Sequence, residues 1–226
     1  MMPHNELLIR QCTRPNCGFR FPVAGQSEGY ETCPKCGAPT RLTQSPYPDL
    51  KVENQSRPSG GPTIEVLLDN IRSAMNVGSM FRTADGAGIH HIHLCGITPA
   101  PGHPKIAKTA LGAEFSIPWT QHWDAVSIST ALKADGYKIW VLEGGSQSLS
   151  IFDVLTELPS SPILLVVGNE VSGVDPAILE IGDRIIHLPM QGIKHSLNVA
   201  VAFGIAVYTL RFGSVLGINQ AFFTEK

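Results

Sequence analysis

Apolar and polar positions change rhythm along this chain in a way that marks its elements. Five short runs, TIEVLLD (Thr63–Asp69), HIHLCG (His91–Gly96), YKIWVLEG (Tyr137–Gly144), PILLVVG (Pro162–Gly168) and RIIHLPM (Arg184–Met190), predict strands apolar on both faces. Helical spacing predicts helices near Asn76–Ala87, Trp123–Ala134, Pro176–Ile181 and Ser196–Phe212. In the last of these, Leu197, Ala200, Val201, Gly204, Val207 and Tyr208 form a core-facing stripe, and Val199, Phe203, Ala206 and Leu210 form a second one beside it. A helix apolar nearly all round is buried on more than one side, so the second stripe predicts a contact with another subunit. Strand–helix alternation places the whole region in the α/β class, with a mainly parallel sheet.

The rhythm stops before Thr63. The stretch Pro39–Pro62 is rich in Pro, Ser, Gly and Gln and reads as a linker. The expected organisation is a small module over 1–42, a linker over 43–62 and an α/β domain over 63–226. Charge divides in the same place: residues 1–60 carry seven Lys/Arg against five Asp/Glu, whereas the rest carries ten against fourteen. The overall charge of −2 gives no basic signature, and 43% hydrophobic with 16% charged residues excludes a disordered chain or a coiled coil. The sequence holds no run of eighteen apolar residues, so no membrane-spanning helix is expected. MMPHNELLIRQC lacks the charged and apolar regions of a secretory leader, and the expected compartment is the cytoplasm.

Five cysteines are an odd count for a disulfide framework. Cys12 and Cys17, then Cys33 and Cys36, form C-x4-C and C-x2-C pairs, each followed by a glycine, Gly18 and Gly37. Two such pairs can set four thiolates tetrahedrally around a structural zinc, and about forty residues with few large apolar groups need a staple of that kind. The alternative is free thiols in a tail. Arg10, Arg14, Arg20, Lys35 and Arg41, interleaved with Phe19, Phe21 and Tyr30, suit either phosphate contact with base stacking or a solvated basic surface. Cys95 lies in an apolar strand and reads as core.

Three motifs in the large domain carry candidate chemistry. In LLDNIRSAMNVGSMFRTADGAG (Leu67–Gly88), Asn76 is a candidate N-cap, and Arg82 offers a permanent charge suited to phosphate, or else pairs with Asp85. In PILLVVGNEVSGVDPAILEIGD (Pro162–Asp183), a strand runs into Gly168-Asn169-Glu170, giving a ligand bare backbone and a carboxylate, or simply a strand-to-helix turn. In RIIHLPMQGIKHSLNVAVAFGIAVY (Arg184–Tyr208), Ser196 is a capping candidate for the long helix. The sequence contains neither the dinucleotide G-x-G-x-x-G nor a P-loop, and no H-E-x-x-H. His91 and His93 are metal candidates or ordinary polar strand residues, with Ile92 on the opposite face.

In this order and at this spacing, NVGSMFRTADGAG, KTALGAEFSIPW, LLVVGNEVSGV and IHLPMQGIKHSLNVAVAFGIAVY resemble the SpoU (TrmH-type) branch of the SPOUT RNA methyltransferases. The resemblance covers roughly Thr63–Phe212. It implies a SPOUT-type α/β fold with a deep C-terminal trefoil knot, here preceded by a zinc ribbon. It also implies a homodimer that binds S-adenosylmethionine and methylates a ribose 2′-hydroxyl in tRNA or rRNA. Matched by position, Asn76, Arg82, Glu170, Ser196 and Asn198 are its active-site set. Leu142, Glu143, Gly144, Gly168, Asn169, Leu188, Met190 and Leu197 are its cofactor-binding set. Arg82 is either general base or stabiliser of phosphate and developing charge; a guanidinium favours the second. The rival readings are an inactive RNA-binding or assembly protein on the same fold, and a knotted methyltransferase acting on a base nitrogen or a protein.

Overall fold

The structure is a computed structural model that describes residues 7–24, 30–43 and 61–213. Most of the expected linker, residues 44–60, lies outside the described residues. The chain divides into two compact units, Met1–Ser56 and Arg57–Lys226.

In the first unit, β1 (Leu7–Cys12), β2 (Arg20–Ala24) and β3 (Thr40–Leu42) form an antiparallel sheet in the order β2-β1-β3. Two turns lead off this sheet, and Gly18 (φ 54°) and Gly37 (φ 71°) take the left-handed conformation that closes each one. Gly18 N–H donates to the Arg14 carbonyl and Gly37 N–H to the Cys33 carbonyl, so the two turns share one design. The longer C-x4-C spacing is absorbed ahead of its turn, where Thr13 is tied to the Pro39 carbonyl through both its N–H (3.0 Å) and its hydroxyl (2.9 Å).

The second unit runs β4 (Ile64–Asp69), α1 (Ala74–Ala87), β5 (His91–Cys95), α2 (Pro104–Ala110), β6 (Trp119–His122), α3 (Ala125–Ala134) and β7 (Lys138–Leu142). It continues with β8 (Leu149–Ser150), β9 (Ile163–Val167), α4 (Pro176–Ile181), β10 (Arg184–His187) and α5 (Val199–Phe212). Its seven strands form one parallel sheet in the order β6-β5-β4-β9-β7-β10-β8. Period-two alternation buries both faces. Val66, Leu68, Ile92, Leu94, Trp140 and Leu165 meet α1, α2 and α5, whereas Leu67, Ile139, Val141, Leu164 and Val166 meet α3 and α4. Strand β10 lies between β7 and β8, which are consecutive in the chain, so the link Glu143–Ser148 passes over the end of β10.

Several expectations are corrected here. Helix α2 and strands β6 and β8 lie outside the expected elements: α2 is two turns long, β6 is a polar edge strand, WTQH, and β8 is only two residues. The N-cap of α1 is Ser73, whose hydroxyl accepts the Asn76 N–H at 3.3 Å, and not Asn76. The N-cap of α5 is Asn198, which accepts from the N–H groups of Ala200 and Val201, and not Ser196. The two stripes of α5 also divide differently: Val207 of the core-facing stripe is buried, but so is most of the second stripe. Phe203, Ala206 and Leu210 are fully buried, while Val201, Ile205 and Tyr208 are 51%, 39% and 45% exposed. Helices α1 and α5 run side by side in the same direction, with Asn76 bonded to Asn198, Thr83 facing Gly204 and the Tyr208 hydroxyl over Gly86.

Beside the edge strand, His91 and His93 join a polar network. Glu65 accepts the His93 Nε2–H at 2.9 Å and the Tyr137 hydroxyl at 2.7 Å. His93 Nδ1 is 3.3 Å from His122 Nε2, and the Thr120 hydroxyl lies 2.9 Å from His91 Nε2. Burial, and then the neighbouring His93, hold His91 and His122 below the usual histidine pKa. A lowered folded-state pKa means that the unfolded chain binds protons first, so stability is lost as pH falls below about 6.5. The denaturation midpoint of the large unit, followed by the fluorescence of Trp119, Trp123 and Trp140, is therefore expected to drop between pH 7.5 and 5.5. A combined His91→Gln and His122→Gln variant should flatten that drop, and an equal drop in the variant would remove these histidines as its cause.

Candidate active site

A cavity of about 700 Å³ opens at the carboxyl ends of β7, β9 and β10, the place where an open α/β sheet presents a ligand crevice. Leu142, Glu143, Gly144, Gly168, Asn169, Leu188, Met190 and Leu197 all line it. So do His187, His195, Val171 and Gly173, which the sequence reading did not single out. Glu143 braces the walls, accepting the Gly144 N–H and the Val174 N–H, each at 3.1 Å. Asn169 closes its own loop: its side-chain oxygen accepts from Val171 and Ser172, and its amide donates to the Asn70 carbonyl at 2.7 Å. At Gly168 a Cβ would stand 2.4 Å from the backbone of Gly173 and Val174, so this floor admits only glycine.

Glu170, Ser196 and Asn198 also line the cavity, and Asn76 joins them through hydrogen bonds. Freed from capping α1, Asn76 donates its side-chain amide to Glu170 Oε1 at 3.0 Å and accepts from the Asn198 amide at 3.2 Å. Glu170 further accepts the N–H groups of Arg72 (3.0 Å) and Ser73 (3.3 Å). Burial alone would raise the Glu170 pKa, but the bonds from Arg72, Asn76 and Ser73 hold it below the usual glutamate value. Glu170 is thus a spoken-for carboxylate, suited to fixing the starts of α1 and α5 and poorly suited to taking a proton.

Arg82 lies six residues beyond Asn76, about 9 Å along α1. It is exposed, has no hydrogen bond or ion pair among the described residues, and does not line the cavity. The expected alternative partner, Asp85, instead accepts the Ser116 hydroxyl at 2.6 Å.

Comparison with known proteins now bears on this geometry. The profile of the SpoU rRNA Methylase family matches residues 63–208, nearly two-thirds of the chain. The chain belongs to that family. It is 38% identical over 149 residues to the 23S rRNA (guanosine(2553)-2'-O)-methyltransferase RlmP of Bacillus subtilis, covering 65% of this chain and 57% of that protein. It is 33% identical over 147 residues to the tRNA (guanosine(18)-2'-O)-methyltransferase of Aquifex aeolicus, covering 63% of this chain and 66% of that one. Among solved structures it resembles the AdoMet-bound rRNA methyltransferase from Sinorhizobium meliloti (TM-score 0.61, 27% identity, covering 70% of this chain and 59% of that one). A second is the TrmH/SpoU tRNA modifying enzyme of A. aeolicus (TM-score 0.59, 29% identity, 69% and 78% covered). The fold is that of the SPOUT methyltransferases, and the chain spans little more than half the length of several curated relatives.

The four-cysteine cluster falls outside the SpoU-matched residues. Cys12, Cys17, Cys33 and Cys36 bring their sulfurs within 4.8 Å of one another. Cys12 Sγ is 3.6 Å from Cys36 Sγ, and Cys17 Sγ is 3.9 Å from Cys33 Sγ. A tetrahedral zinc with Zn–S of about 2.3 Å requires sulfurs about 3.8 Å apart, so the donor set and its spacing fit that ion. Among the described residues this is the one group with metal-ligand spacing, and the histidines beside the edge strand form a hydrogen-bonded network instead. Cys95 is fully buried, as expected of a core residue.

Proposed function

We propose that this SpoU-family protein is a cytoplasmic, S-adenosylmethionine-dependent methyltransferase acting on a ribose 2′-hydroxyl of rRNA or tRNA. The observation that carries the reading is the side-chain-free cavity floor at Gly168, joined through Glu170, Asn76 and Asn198 to the helix bearing Arg82. The cavity's size suits a nucleoside-sized ligand. Leu142, Leu188 and Leu197 offer apolar wall to a purine, and Gly144, where a Cβ would meet nothing within 4 Å, lets backbone groups approach it closely. When bound, S-adenosylmethionine supplies an electrophilic methyl group on a sulfonium. The chain's own work is then alignment: Asn198 and Ser196 border the reacting edge, Glu170 and Asn76 fix that border, and Arg82 holds the RNA phosphate and offsets negative charge on the attacking oxygen. Names of relatives that act on guanosine ribose support the 2′-hydroxyl over a base nitrogen. Calorimetric titration should show one S-adenosylmethionine per chain, and absence of binding would remove the reading.

The ribbon is proposed to hold zinc through its four cysteines. Metal analysis is expected to return about one zinc per chain. Strong chelation should unfold the ribbon while S-adenosylmethionine affinity stays unchanged; an ordered ribbon without metal would contradict this.

A homodimer is proposed through the exposed stripe of α5. Val201, Ile205 and Tyr208 form an apolar strip on a helix whose opposite side is already core, and an isologous contact would cover it. Light scattering at micromolar concentration should give twice the chain mass of 24.3 kDa. Ile205→Glu should give the single mass, and a wild-type monomer would sink the proposal.

A further inference from the structure

The ribbon carries a surface that its own folding does not use. Its buried cluster consists of Cys12, Cys33 and Ala38, with Cys17 and Cys36 against it, and contains no aromatic ring. The rings lie outside: Phe19 and Phe21 stack with centroids 5.5 Å apart and planes at 22°, and Tyr30 sits 6.3 Å from Phe21. Phe19 and Tyr30 are 38% and 41% exposed. Strand register aligns Phe21 with Arg10 and Arg10 with Leu42, so the rings continue a row across one sheet face. Arg10 is held there by its Nε–H bond to the Thr40 hydroxyl at 2.8 Å. Arg14 and Lys35 are exposed on the two turns, Arg20 and Arg41 flank Gln11 on the opposite sheet face, and Glu31 is the one acidic residue among the described residues of the ribbon.

We infer that this face is a stacking platform for an unpaired stretch of the RNA substrate, with Phe19 and Tyr30 taking bases and the basic rim taking phosphates. Stacked rings accept any base, and Arg10, Arg14 and Lys35, with Glu31 the one anion among the described residues, match a polyanion better than a protein surface of mixed charge. The inference rests on the RNA methyltransferase reading and gives it a second foothold on its substrate, on the unit outside the SpoU-matched residues.

The test uses the full-length, zinc-loaded protein and a uridine-rich RNA of about a dozen nucleotides, single-stranded or annealed to its complement. Binding is read by fluorescence anisotropy. Phe19→Ser and Tyr30→Ser should each weaken single-strand binding about tenfold, Tyr30→Phe should leave it unchanged, and the duplex should bind more weakly. Arg14→Glu or Lys35→Glu should flatten the slope of log affinity on log salt by about 0.7 for each phosphate no longer neutralised. RNA bearing 5-iodouracil should photocross-link to peptides containing Phe19 or Tyr30. Serine variants that retain zinc and bind RNA like wild type would overturn the inference. So would cross-links confined to residues 61–213, or a protein partner captured by the ribbon in nuclease-treated extract and lost in the serine variants. The two readings fail separately: normal methyl transfer with unaltered RNA affinity in the serine variants removes only the platform. RNA bound through the ribbon by a protein that takes no S-adenosylmethionine removes only the methyltransferase.

Discussion

Arg82→Ala is expected to lower methyl transfer by about a thousandfold, the scale on which a lost charge-stabilising donor acts, with S-adenosylmethionine affinity nearly unchanged. Two observations set this split. Arg82 is outside the cavity wall, so its removal leaves the cofactor's surroundings intact. It is also exposed and without a partner among the described residues, so its removal breaks no ion pair of the fold. Arg82→Lys keeps the charge but loses the planar fork and should rescue poorly. Methyl-transfer kinetics beside calorimetric titration measure both quantities on one preparation. Loss of cofactor binding in step with activity would make Arg82 a structural residue.

Because Arg82 is remote from its own cavity, the proposed dimer offers a sharper form of the same test. In a heterodimer pairing Arg82→Ala with a cavity-dead Gly168→Ala chain, one intact cavity faces one intact arginine on the other subunit. Activity there, absent from both homodimers, would mean that Arg82 serves the partner's cavity; silence would mean that it serves its own.

The second large effect is expected at Gly168. Any side chain there meets the main chain of Gly173 and Val174 at 2.4 Å, and backbone cannot swing aside as a flexible side chain would. Even Gly168→Ala should therefore displace the loop that carries Asn169 and Glu170, weaken S-adenosylmethionine binding at least about a hundredfold, and abolish methyl transfer. The cause differs from a side chain filling the ligand's space: the loop is deformed before any ligand arrives. Gly144→Ala, where a Cβ meets nothing within 4 Å, is the matched control and should fold normally. Unchanged titration of Gly168→Ala would show that the loop can relax and that this floor is dispensable.

What the sequence made legible, and what it hid, follow from the same physics. Strands β4, β7 and β9, at the middle of the sheet, are largely apolar runs covered on both faces, so their composition alone marks them. Strand β6 reads WTQH because it lies at the sheet's edge, and an edge strand carries no double-sided apolar signal. Helix α5 announced itself but not its orientation: with apolar residues nearly all round, periodicity cannot say which stripe meets the core, and the core took Phe203, Ala206 and Leu210. The caps were misplaced by two or three residues because Ser73, Asn76, Ser196 and Asn198 are all capping residue types. Only three-dimensional pairing shows that Asn76 is released from that duty to reach Glu170 and Asn198. The cavity residues were found through motif resemblance, since their common location depends on β10 lying between β7 and β8, a long-range fact that no local pattern encodes.

The most direct measurement of the central claim is chemical mapping of the product. RNA from cells lacking this gene, incubated with purified protein and labelled S-adenosylmethionine, is digested with alkali, which cleaves after every ribose that retains a free 2′-hydroxyl. The account predicts label in an alkali-resistant dinucleotide that forms with wild type and fails to form with Arg82→Ala. Label recovered solely on a base or on protein, or no label from a chain that binds the cofactor, would contradict it.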